Sequence, residues 1–346
     1  MTRGLRALLG ALGIGIVALI ACLTPPVSGI TRALLGLLSV VVLWYVWRWP
    51  QLEQRLAAGE AAAVSARPRV FDLSLGFVTN FLDTLGIGNF APTTAAIKFT
   101  RRISDEDIPG TLNVGHALPV LTEALIFIAA IVVDPRLLVA MICASVLGAW
   151  LGAGVVSRLP RRAVQVGMGT ALAVAAALFI GANLHLMPVG GAATAFFGAR
   201  FFIAVVGNFV LGALMTLGIG LYAPCLIMLS LLGLDPRAAF PIMMGSCAFL
   251  MPAGGLRFVR SRRYSPSLAL GLAIGGPPAV LFAGYIVKTI PLVWLRWLVV
   301  CVVLYAAVMM LSSALRREAP PADRGTEGGT ERGTVEVASR ASGVGE

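Results

Sequence analysis

The sequence predicts an all-α integral membrane protein built from two related halves, and three observations lead there. The 346 residues are 58% hydrophobic and only 12% charged, with a mean hydropathy of +0.90. A soluble domain is about a quarter charged, so water is not the solvent for most of this chain. Its apolar stretches recur at close to the ~20 residues that carry a helix across ~30 Å of hydrocarbon, and none alternates as an outer-membrane barrel strand does. A nine-residue motif occurs twice in one register.

Two apolar segments, 7–23 and 33–46, come first and predict a pair of spans, followed by a polar stretch at 48–70. Arg3 and Arg6 precede the first, and Leu19-Ile20-Ala21-Cys22 fits a lipoprotein cleavage box, but a plain span is the preferred reading. Further apolar segments follow at 71–97, 108–133, 135–157, 162–183, 203–232, 236–257, 267–288 and 292–315. Beyond Arg317 the chain turns rich in Gly, Thr, Glu and Arg, too polar to bury a core, which predicts a disordered tail over 317–346.

The motif divides these segments. Thr84-Leu85-Gly86-Ile87-Gly88-Asn89-Phe90-Ala91-Pro92 matches Thr216-Leu217-Gly218-Ile219-Gly220-Leu221-Tyr222-Ala223-Pro224 at a constant offset of 132 residues. Seven of the nine positions are identical, and Phe90 is exchanged for another aromatic. The same register pairs Pro109 with Pro241. The predicted organisation is an N-terminal pair with its linker at 1–70, repeat A at 71–183, a loop at 184–202, repeat B at 203–316, and the tail.

Charge sets the orientation. The net charge is +11, but the basic residues sit in short loops between apolar segments, such as Arg158, Arg161, Arg162 and Arg260, Arg262, Arg263. No aromatic-studded basic surface accompanies them, so the expected partner is the lipid bilayer and not nucleic acid. If 71–97 crossed fully, Lys98, Arg101 and Arg102 would lie opposite Arg48, Arg55, Arg67 and Arg69. If 71–97 and 203–232 each enter and leave on one face, all the clusters at 48–69, 98–102, 158–162, 257–263 and 316–317 become cytoplasmic. Each half then holds one broken or re-entrant segment and three spans. An odd number of crossings inverts repeat B relative to repeat A. The expected setting is a bacterial inner membrane, with the C-terminus cytoplasmic.

A Gly-x-Gly within an apolar segment, with Pro four residues later, is a helix that stops and restarts. Glycine permits backbone conformations closed to other residues, and Pro suits the first turn of a helix, where its missing N–H costs nothing. Backbone freed at membrane depth is tolerated only in protein or against a polar cavity. Helices restarting near Pro92 and Pro224 aim their positive ends at the centre, so the expected occupant is a small anion. Gly86, Gly88, Asn89, Pro92, Thr93 and Thr94 form the first candidate binding group, and Gly218, Gly220, Tyr222, Pro224, Cys225 and Ser246 the second. Asp83, His116 and Glu123 lie in apolar surroundings where a charge is costly, which makes them candidates for coupling to a proton or sodium ion. Neither carboxyl is matched in repeat B, where position 215 is Met and position 255 is Gly.

The duplicated segment, its following Pro and the short basic loops resemble the TauE/SafE family of sulfite exporters, over about 71–315. The resemblance implies a secondary transporter that exports sulfite, sulfonates or related sulfur-containing anions, or small organic acids, without ATP. It carries over onto the two Gly-x-Gly segments, with Asn113 and Ser246 on the next helix of each half as polar candidates. The N-terminal pair of spans is extra to the pattern of that family.

Other classes find less support. The chain has no His-Glu-x-x-His, no Gly-x-Ser-x-Gly elbow and no Gly-x-x-x-x-Gly-Lys loop, so no enzymatic activity is expected. The five cysteines lack metal-type spacing and only His116 and His185 could assist them, so neither a metal nor another cofactor is expected. A membrane assembly or sensor subunit is the remaining alternative, and a homodimer is left open.

Overall fold

A computed structural model of the protein describes residues 3–23, 27–57, 67–156, 161–184, 193–215, 221–289 and 291–315. The described residues form thirteen α-helices, with no strand beyond a single bridge between Ala193 and Leu234. Six helices are long and apolar enough to cross a bilayer, namely Gly4–Cys22, Gly29–Leu56, Ile108–Ala130, Gly198–Met215, Pro236–Arg260 and Pro266–Ile286. The chain is therefore an all-α integral membrane protein. The predicted tail at 317–346, His185 and the second Gly-x-Gly with Gly218 and Gly220 lie outside the described residues.

Helices α1 (Arg3–Leu23) and α2 (Gly29–Ala57) form the N-terminal pair. The stretch expected to be a polar linker from Arg48 onward is instead helical as far as Ala57 and includes Pro50. Tertiary packing overrides its composition. Trp49 and Leu52 are buried, the Trp49 indole N–H donates to the Tyr264 hydroxyl at 3.1 Å, and that hydroxyl donates to Glu53. Burial, and then the adjacent Glu53 carboxylate, holds the Tyr264 phenol above its ordinary range.

Helix α3 (Val70–Thr84) stops, and α4 (Phe90–Thr100) runs back beside it. The return is pinned by Arg102, whose guanidinium donates to Asp72 Oδ1 at 2.7 Å and lies 4.8 Å over the Phe71 ring. Asp72 also closes the first turn of α3 by accepting from the Arg69 N–H at 2.9 Å. The segment thus begins and ends at the same end of the molecule. The next span is split at His116 into α5 (Ile108–Gly115) and α6 (Ala117–Ala130). Pro119 lacks the N–H that would reach Gly115, and loss of that bond is a standard cause of a kink. Helices α7 (Pro135–Val156) and α8 (Arg161–Asn183) complete the first half.

The second half comprises α9 (Gly198–Met215), α10 (Tyr222–Leu231), α11 (Pro236–Arg260), α12 (Pro266–Thr289) and α13 (Leu292–Leu315). Helices α3 and α12 make one extensive contact, and α9 and α7 another. Both pairs run parallel: Gly271 packs on Asp72 and Gly276 on Asn80, while Asn208 donates to the Met141 carbonyl and Gly212 packs on Ser145. In contrast, α5–α6 runs antiparallel to α11. Gly110 meets Arg263, Asn113 meets Gly255, and Phe127 stacks on Phe240 with centroids 5.3 Å apart.

These contacts define two ends. One carries Glu53, Asp72, Arg102, Glu106, Arg262 and Arg263, joined by the Arg102–Asp72, Arg262–Glu53 and Arg263–Glu106 ion pairs. The other carries Arg136 and Arg237, where the Asp134 and Asp235 N–H groups donate to the Thr194 and Ala193 carbonyls at 2.9 and 2.8 Å.

Candidate functional site

The first break runs from Leu85 to Asn89. Gly86 and Gly88 take φ of +93° and +89°, the left-handed region that a Cβ disfavours. The turn is held by the Gly86 N–H on the Asp83 carbonyl at 2.7 Å and the Ile87 N–H on that of Leu82 at 3.1 Å. A Cβ on Gly86 would touch Phe240 and Met243 of α11 at 3.8 Å, whereas one on Gly88 would meet nothing within 4 Å. Open space therefore lies at Gly88. Helix α4 restarts at Phe90 and not at Pro92, which sits two residues into the first turn. α10 restarts in the same way at Tyr222, two residues before Pro224. Proline is still free of penalty there, because N–H groups of the first turn have no partner within the helix.

A buried polar network surrounds the break. Asn89 does not cap α4 with its side chain. Its amide instead donates to Asp83 Oδ2 at 2.6 Å and to Asn80 Oδ1 at 3.2 Å. Asn80 Oδ1 also lies 2.8 Å from His116 Nδ1, while Asn80 Nδ2 donates to the Gly76 carbonyl at 2.6 Å. Because Asn80 Oδ1 can only accept, His116 carries a proton on Nδ1. His116 Nε2 lies 3.0 Å from Thr93 Oγ1, and a neutral ring accepts there from that hydroxyl. Glu123 of α6, fully buried, lies 2.8 Å from Thr84 Oγ1 and receives the Tyr222 hydroxyl at 3.0 Å. Thr84 ends α3 and Tyr222 begins α10, so an end of each of these two helices meets at one carboxyl group.

The structure thus brings together Asp83, Gly86, Gly88, Asn89, Thr93, His116, Glu123 and Tyr222. Thr94 is half-buried beside Thr93, and Pro224 and Cys225 are buried in the first turn of α10. Asn113 stands apart: its amide donates to the Pro109 carbonyl of its own helix at 2.9 Å, and its carbonyl oxygen faces Gly254. Ser246 accepts from Asn208 Nδ2 at 3.1 Å, within the second half. Sequence reasoning missed Asn80, Thr84 and Asn208. The available signal was an uncharged polar residue inside an apolar span, which needs a partner there as a carboxyl does.

The helices that build the network carry no lysine or arginine apart from Lys98 in the last turn of α4, Arg200 in the first turn of α9 and the arginines near the ends of α11. Among the described residues no group of three or more His, Cys, Asp or Glu could hold a metal ion. With the side-chain donors of the network committed to one another, what the site offers an anion is backbone N–H groups at the restart and the positive end of α4.

A helix interrupted beside buried polar groups, in an all-helical membrane protein, is the arrangement found at the binding sites of secondary transporters. Residues 2–179, just over half of the chain, match the family described as Sulfite exporter TauE/SafE. The chain belongs to that family. The matched range takes in α1 and α2, the pair that the sequence sets ahead of the repeats. No curated protein and no solved structure matches the chain.

Proposed function

We propose that the protein is a secondary exporter of small sulfur-containing oxyanions, sulfite or a sulfonate, and that the anion binds at the break between α3 and α4. The observation that carries this reading is the meeting of Thr84 and Tyr222 at Glu123, beside the open space at Gly88. A pyramidal or tetrahedral oxyanion has several oxygens to satisfy, and the first-turn N–H groups of α4 supply donors for them. Donors without a fixed cation hold an anion weakly enough to release it, which a transporter requires.

The proposal extends to architecture. The two halves are inverted repeats, related by a two-fold axis in the membrane plane. The support is that the equivalent elements α5–α6 and α11 run antiparallel, while α3 with α12 and α9 with α7 form reciprocal parallel pairs. Two repeats related by an axis along the membrane normal would set equivalent helices parallel. The end bearing Arg102, Arg262 and Arg263 is the cytoplasmic one in a bacterial inner membrane, and the C-terminus lies on that side.

Reconstituted vesicles loaded with labelled sulfite test the function. Efflux through the protein that unlabelled sulfite or a sulfonate suppresses is the expected result. Efflux equal to that of protein-free vesicles, for sulfite and sulfonates alike, overturns it.

A further inference from the structure

We propose that the Asp83–Glu123 pair and the anion site fill together, so that each anion crosses the membrane with a proton. The inference rests on the anion site proposed above. It starts from a count of hydrogens. Thr84 Oγ1 lies 2.8 Å from the Asn80 carbonyl oxygen and 2.8 Å from Glu123 Oε1. The hydroxyl has one proton, and the carbonyl can only accept. A proton on Glu123 satisfies both contacts: the carboxyl donates to Thr84, and Thr84 donates to the Asn80 carbonyl. Asp83, one residue before Thr84 and buried like Glu123, accepts the Asn89 amide at 2.6 Å in the same network.

The charges around the pair give that proton its consequence. The titratable groups facing it are His116 at the α5–α6 junction, Tyr222 and Cys225 on α10, and Cys247 on α11. All four are buried, which favours the uncharged form of each, and a neutral His116 donates at Nδ1 and accepts at Nε2. Helix α12 carries no titratable residue between Pro266 and Phe282. On α2, Tyr45 is bonded to the Val114 carbonyl and Glu53 to Tyr264. An anion arriving at Gly88 therefore meets two carboxyls and no facing cation. Negative charge on the pair repels it, and each proton the pair takes up removes one unit of that charge.

The proton comes from water on the side where the anion binds and leaves to water on the side where it is released. No bond other than O–H forms or breaks. Thr84 and Tyr222 hold the carboxyl from α3 and α10, so its protonation changes contacts to both helices at once.

The test is calorimetric titration of sulfite into the purified full-length protein, in paired buffers of different ionisation enthalpy. Sulfite itself titrates near neutrality, so the readout is the difference between wild type and the variants Glu123→Gln, Asp83→Asn and the double variant. Gln and Asn preserve the size and much of the hydrogen bonding, and a retained melting transition certifies folding. With one proton already on Glu123, wild type is expected to take up about one further proton per anion, on the second carboxyl, relative to the double variant, with apparent affinity falling up to about tenfold per pH unit as that carboxyl ionises. The single variants should fall between. If either single variant fails to fold, the other carries the comparison. Sulfite binding with the same proton uptake in wild type and variants overturns the coupling and leaves the anion site standing. Absence of any sulfite or sulfonate binding to wild type overturns both.

Discussion

Around the first break the side chains are Asn80, Asp83, Asn89, Thr93, His116 and Glu123; at the corresponding positions of the second half stand Gly212, Met215, Leu221, Cys225, Ala248 and Gly255. Both halves restart a helix two residues before a proline, with the Thr93 and Cys225 N–H groups bonded to the Asn89 and Leu221 carbonyls at 3.1 and 3.0 Å. The repeat carries the glycines and the proline in both copies of the sequence, but the polar side chains in only one. Glycine and proline act through the main chain, so they serve in either half. A buried ionisable group is costly wherever it sits, so one copy is less costly than two. The second half contributes a single hydroxyl, Tyr222, and otherwise closes the site with apolar side chains.

The comparison breaks most directly at the glycines. Gly88→Val should lower sulfite efflux about a hundredfold, because a branched residue at positive φ costs about 1–3 kcal/mol and its side chain fills the open space. Gly220→Val, from the repeat alone, should also impair transport, but less. Wild-type efflux from a well-folded Gly88→Val protein places the anion elsewhere.

A smaller effect is expected at the first helix restart. Asn89→Ala removes the amide that ties Asp83 to Asn80 and should weaken sulfite binding about tenfold, since a hydrogen bond to a charged partner contributes roughly 1.5 to 3 kcal/mol. The corresponding Leu221→Ala should leave affinity within about twofold, because no donor is lost. Equal losses in a binding titration would mean that the two breaks share the anion.

Ser246→Ala should matter less again. It removes one acceptor from Asn208 Nδ2, which keeps its 2.7 Å bond to the Met141 carbonyl. A stability loss of about 1 kcal/mol in the melting transition, with sulfite affinity nearly unchanged, is the expected result. A tenfold loss of affinity would bring Ser246 into the site.

Truncation at about residue 318 should have the least effect. Those residues are too polar to join a buried core, so efflux per folded protein should equal that of the full chain. Loss of efflux at unchanged expression would assign the tail a role.

The sequence by itself determined the all-helical membrane class and the position of the first helix break. Both are local properties: hydropathy is summed over neighbours along the chain, and the freedom of Gly86 and the missing N–H of Pro92 belong to single residues. It also marked Asp83, His116 and Glu123, because an ionisable group among apolar neighbours is conspicuous in one dimension. Only the tertiary structure decided which of these meet. Thr84 and Glu123 are 39 residues apart and Glu123 and Tyr222 are 99 apart, and no periodicity encodes either pairing. Asn113 and Asn80 look alike in the sequence, yet one spends its amide on its own helix while the other joins Asn89 to His116. The polar stretch after Arg48 became helix for the same reason, since Trp49 and Glu53 found Tyr264 more than 200 residues away. A polar side chain in a membrane must find a partner, and which partner it finds depends on how the helices pack.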